Sequence, residues 1–144
     1  MTRKRKPGEA DEHDEQSAFF DLLAVHAPSR PVLELAYAIP NGGHRSKKTA
    51  GRLKAEGVKA GIPDVHLPVR SGCGAYIGLF LEFKRPWSTT TDRQKVRIRL
   101  LREAGHRVEV VETVEQAWRI TSEHICRTQS QGYIRDALRE IDHG

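Results

Sequence analysis

Apolar and polar residues follow two rhythms along this chain, one helical and one strand-like, and the changes between them mark its elements. Over residues 11–27 the helical rhythm holds: Phe19, Phe20, Leu22, Leu23 and His26 form a stripe, and Pro28 stops it. Residues 32–39 read as a first strand, ended by the turn-forming run Pro40-Asn41-Gly42-Gly43. A polar segment from His44 then enters a helix that runs to about Glu56 and closes at Gly57. Residues 64–69 and 76–84 are apolar runs that predict a second and a third strand, joined by a hairpin loop over 70–75. Arg85-Pro86-Trp87-Ser88 breaks that pairing, because proline has no N–H for a ladder. Thr89, Thr90, Thr91 and Asp92 offer N-caps for a helix over 92–104, and Gly105 closes it. A fourth strand over 107–112 precedes a helix over 115–126, capped by Thr113 and apolar at Ala117, Trp118, Ile120 and Ile125. After a break at 130–132, Tyr133, Ile134, Ala137, Leu138 and Ile141 return at helical spacing. That last amphipathic helix is suited to cover either its own core or a second subunit. The order is helix, strand, helix, strand, strand, helix, strand, helix, which predicts an α/β or α+β architecture.

Composition narrows this further. At 144 residues the chain fits one domain, expected over 11–144 with a C-terminal helical extension and a basic, unstructured tail over 1–10. The 38% hydrophobic and 30% charged content suits a soluble globular protein. A formal charge of +5 and a pI near 9.5 favour an anionic partner. Cys73 and Cys126 have no metal-ligand spacing and make no disulfide framework, so a reducing cytoplasm is expected. No apolar run approaches a membrane span, and the basic N-terminus lacks the apolar stretch of a secretory signal.

The chemistry concentrates in Gly61-Ile62-Pro63-Asp64 and Leu81-Glu82-Phe83-Lys84. Strand side chains alternate faces, so Glu82 and Lys84 point one way while Leu81 and Phe83 point the other. Hairpin pairing of the two runs brings Asp64 beside Glu82. Two carboxylates and an ammonium then meet at one sheet edge, and oxygen ligands of that kind suit Mg²⁺ or Mn²⁺. A charged pair at a strand end is also what a solvated edge looks like. The apolar run around Glu82 argues for burial, and buried charges need partners or a metal.

These residues resemble the Pro-Asp…(Asp/Glu)-x-Lys signature of a large nuclease superfamily. Further stretches are similar to its VRR-NUC branch, in particular to small stand-alone phage and bacterial members. They are Ala38 to Gly43, Leu53 to Asp64, Gly78 to Lys84, Gln94, and Gly105 to Val111, in the family's order over about residues 12–125. The resemblance implies a restriction-endonuclease-like core, a central mixed four-stranded sheet flanked by helices.

It also implies site roles. Asp64 and Glu82 are expected to hold Mg²⁺ or Mn²⁺, with the Phe83 backbone carbonyl as a further ligand. Lys84 is expected to act on the attacking water, and Gln94 to hold the lysine or the nucleophile. The first helix is expected to supply a glutamate, Glu12 by its four-residue spacing to Gln16, with Glu15 as the competitor. Next to this motif, Asn41, His44, Arg45, Lys47 and Lys48 combine glycine-rich backbone, a helix N-terminus and positive charge, and are candidates for contact with a DNA backbone. The activity implied is a metal-dependent endonuclease of branched DNA, four-way junctions above all, acting as a homodimer in a bacterial or phage-infected cell. A flap or nonspecific DNA nuclease and a non-catalytic nucleic-acid-binding protein of the same fold are the competing readings.

Overall fold

The structure, a computed structural model, describes residues 11–40, 46–126 and 132–142. The expected basic tail, and Asn41, His44 and Arg45, lie outside them. Helix α1 spans Glu12–His26, started by a capping box in which Asp11 and Asp14 satisfy each other's backbone N–H. A 3-10 helix over Pro31–Leu35 leads to strand β1, Tyr37–Ala38. Helix α2 is Lys47–Ala55, strand β2 Val65–Leu67 and strand β3 Leu79–Phe83. Helix α3 is Asp92–Glu103, strand β4 Arg107–Val111, helix α4 Val114–Ile125 and helix α5 Gly132–Asp142.

The four strands form one mixed sheet in the order β1-β2-β3-β4. The first two pairings are antiparallel and β3–β4 is parallel. Helix α3 is the crossover between the parallel pair, as such a connection requires. The architecture is therefore the α/β one expected, a mixed four-stranded sheet flanked by helices.

Alternation along the strands sends two sets of side chains to two faces. Leu79, Leu81 and Phe83 join Val65, Leu67 and Val111 in the larger core, under Phe19 and Leu23 of α1 and Ala117 and Ile120 of α4. Phe80 and Val108 face the other way and meet Ile98 of α3 in a smaller cluster. Every residue of β3 is buried, because helices lie on both faces of it.

Three expected strands are shorter than the pattern predicts. Residues 32–39 do not form a strand: Pro31 starts a 3-10 turn that buries Val32 and Leu33, and only Tyr37 and Ala38 pair. A short apolar run without alternation does not distinguish the two conformations. Strand β2 covers three residues rather than six, since Pro63 and Pro68 bracket it and neither donates to a ladder. In β3 the ladder begins at Leu79, not Tyr76. Just before it, a Cβ on Gly78 would lie 3.0 Å from the His106 ring. Among the described residues no helix is long and apolar enough to cross a membrane.

Candidate active site

The site lies on the α3 face of the sheet, where β2 begins and β3 ends. Val65 pairs with Leu81, so the residue before Val65 stands across from the residue after Leu81. These are Asp64 and Glu82. Val65 and Leu67 turn into the larger core, which sends Asp64 and His66 to the opposite face with Phe80 and Glu82. The hairpin thus brings together the two carboxylates that the sequence separates.

Each is held by a named donor. The Phe83 N–H donates to Asp64 Oδ2 at 2.8 Å. Gln94 Nε2 donates to Glu82 Oε1 at 2.6 Å, and Lys84 Nζ lies 3.4 Å from the same oxygen. Gln94 is itself clamped at the start of α3: its N–H donates to Thr91 Oγ1, and its Oε1 accepts from the Thr91 N–H. That capping box leaves the side-chain NH₂ to reach Glu82. Gly61, at φ +82°, lets the loop before Asp64 press on this same helix start. A Cβ there would come within 3.0 Å of the Arg93 backbone.

The electrostatics of the pair are unfavourable in the absence of a cation. Glu82 is 3% exposed, and its Oε2 is buried without a hydrogen-bond partner among the described residues. Burial and then the nearby Asp64 charge push its pKa up to about 8, against the pull of Lys84. Burial also raises the Asp64 pKa; the Phe83 N–H and Lys84 oppose the rise, and the Glu12 carboxylate adds to it. A desolvated pair of this kind is relieved by sharing a proton or binding a cation.

The donor set fits a small, hard divalent ion. Two carboxylates converge, and one of their oxygens is orphaned. Among the described residues no three His, Cys, Asp or Glu side chains gather closely enough to enclose a metal. Water and phosphate would complete the shell, as is usual for Mg²⁺.

The two first-helix glutamates have different surroundings. Glu12 Oε1 accepts from the Arg85 N–H at 3.2 Å, just past Lys84, and its charge is felt by Asp64. Glu15 Oε2 accepts from the Val114 N–H at 2.8 Å and so caps α4. Lys47 and Lys48 are exposed on the first turn of α2, which Ser46 caps. Sequence reasoning did not single out the Thr91–Gln94 box or the contact at Gly61. The Thr-x-x-Gln spacing was the available signal for the first; only tertiary packing reveals the second.

Comparisons with known proteins bear on this geometry. No family model matches the chain, and no curated protein does. A solved structure described as a "VRR_NUC domain protein" is similar to it, with a TM-score of 0.67 and 25% sequence identity. The match covers 83% of this chain and 91% of that one.

Proposed function

The chain is built as a VRR-NUC domain, and on that premise we propose that it is a divalent-metal-dependent endonuclease that hydrolyses phosphodiester bonds in branched DNA. One observation carries the reading. Asp64, Glu82 and Lys84 meet between the two inner strands, where β2 begins and β3 ends, and a buried Glu82 oxygen there lacks any partner among the described residues. A plain binding surface has no use for a desolvated carboxylate pair, which costs stability until a cation joins it.

In this reading Asp64 and Glu82 hold Mg²⁺ or Mn²⁺, with the Phe83 carbonyl and, through water, Glu12. Such an ion, when bound, polarises a phosphoryl oxygen and lowers the pKa of a water. The residues of the chain do the rest. Lys84 orients or deprotonates the attacking water and offsets charge that builds on phosphorus. Gln94 fixes Glu82, through the 2.6 Å hydrogen bond, so that its free oxygen faces one direction. Lys47 and Lys48, with Asn41, His44 and Arg45, contact the phosphate backbone. The products are a 5′-phosphate and a 3′-hydroxyl. A homodimer would present two such sites about a two-fold axis, which suits paired cuts across a four-way junction.

The test is cleavage of labelled four-way junction, flap and linear duplex DNA with Mg²⁺ or Mn²⁺. Wild type is expected to cut, the junction fastest. Lys84→Ala is expected to lose roughly 10²–10³-fold in rate, the size typical of removing a charge-stabilising group. Undiminished cleavage by Lys84→Ala, or DNA binding by wild type with no cleavage on any substrate, would defeat the proposal.

A further inference from the structure

Helix α2 buries none of its side chains. Nine residues are too few for a helix to persist in water on propensity alone. It ends in a Schellman motif: the Gly57 N–H donates to the Lys54 carbonyl, and the Val58 N–H to the Leu53 carbonyl. Leu53 and Val58 then face α3 across an open groove of about 850 Å³.

The far wall of that groove is one flank of α3. Gln94, Ile98 and Leu101 turn toward the sheet, whereas Arg93, Val96, Arg97 and Leu100 share the neighbouring stripe and line the groove. Lys54 and Lys59 line it from the other side. Four cations therefore face a floor of exposed aliphatic carbon, since Val58, Val96 and Leu100 are all exposed. Among the described lining residues the one acid is Asp92, and Lys95 lies 3.9 Å from it.

On both walls the groove lining runs, along the chain, into residues of the carboxylate site. Lys59 and Ala60 line it, and Asp64 follows a few residues on. Arg93 lines it, and the next residue, Gln94, holds Glu82.

We infer that the α2–α3 groove holds an unpaired strand of the DNA substrate leading to the scissile phosphate. The inference rests on the nuclease reading above. The charge selects an anion in extended form. The aliphatic floor selects a strand with its sugars and base faces uncovered, which a closed duplex hides. Lys54, Lys59, Arg93 and Arg97 take phosphates, while Val58, Val96 and Leu100 pack on sugars and bases. No aromatic side chain lines the groove among the described residues, so little base preference follows. The strand also gives α2 the packing that the protein alone withholds. A branch with a flap or a splayed end is then preferred over blunt duplex.

The experiment measures fluorescence anisotropy in EDTA, where no cleavage occurs. The probes are a labelled single-stranded oligonucleotide, the blunt duplex of the same sequence, and a flapped duplex. Arg93→Ala/Arg97→Ala is expected to lose about tenfold in affinity for the single-stranded and flapped probes. Its salt slope should fall by about 1.4, two single-strand phosphate contacts at about 0.7 each. Val96→Asp should lose affinity similarly while circular dichroism and melting stay those of wild type. Arg99→Ala, exposed and outside the groove, should bind within twofold of wild type. Equal losses on blunt duplex, an equal loss in Arg99→Ala, or groove variants that bind like wild type would each overturn the inference. The last result would leave the groove to a protein partner. Wild type that cuts DNA while the groove variants bind normally removes this inference alone; wild type that neither binds DNA in EDTA nor cuts it with Mg²⁺ or Mn²⁺ removes the nuclease reading as well.

Discussion

Glu82 carries the largest electrostatic cost in the site, and that cost depends on pH. Its folded pKa is raised from 4.5 to about 8, with burial first and Asp64 second among the causes. Between those values the folded chain keeps a proton that the unfolded chain releases. Metal-free stability should therefore fall as pH rises through that window. The total is on the order of a few kcal/mol, since each tenfold change in proton affinity is worth about 1.4 kcal/mol. Glu82→Gln should remove most of the fall, so the variant should melt above wild type near pH 8 and alongside it below about pH 4.5. Mn²⁺ should raise the melting temperature of wild type more at high pH and leave the variant nearly unmoved. A wild-type melting temperature that stays flat across the window would remove the desolvated pair from the account. The same scale separates two glutamates that look alike in sequence: Glu12 meets the backbone beside Lys84, and Glu15 meets the first N–H of α4.

At the level of elements, the site depends on where α3 begins. Gly61 sets that position twice, through its positive φ and through its approach to the Arg93 backbone. Gly57 also has a positive φ, 98°, yet a Cβ there would meet nothing within 4 Å. Gly57→Ala should cost only the left-handed strain, about 1–2 kcal/mol. Gly61→Ala should cost more in urea denaturation, and it should also weaken metal-dependent cleavage, because α3 must shift and carry Gln94 from Glu82. Equal stability losses in the two variants would show that the helix start tolerates displacement. The capping box at Thr91 was legible as a spacing, and the strand breaks at Pro63 and Pro68 as residue types. The 3-10 turn over Pro31–Leu35 was not, since Val-Leu-Glu-Leu serves a strand or a turn equally and burial decided between them.

Over the whole molecule, the sheet separates two jobs. One face builds the larger core with α1 and α4, and the other builds the smaller α3 cluster and holds the carboxylates. Phe19 joins the layers: it is 1% exposed, and its ring centroid lies 5.9 Å from that of Phe83, next to Glu82 and Lys84. Phe19→Ala should cost about 3–5 kcal/mol in equilibrium unfolding, as a buried aromatic truncation does. A loss under about 1 kcal/mol would mean that the core refills around the gap.

Read alone, the sequence determined the number and kind of most elements, because their periods are strong and their stops are proline, glycine and capping residues. It also singled out Asp64, Glu82 and Lys84, which the fold then brings together. Tertiary structure alone decided which first-helix glutamate approaches Asp64, that Gln94 grips Glu82, and that one Glu82 oxygen has no partner among the described residues. It alone placed α2 beside α3 to make a basic groove. The physical reason is range. Periodicity and capping act within a few residues, whereas burial, charge repulsion and backbone approach arise between segments that only the folded sheet brings together.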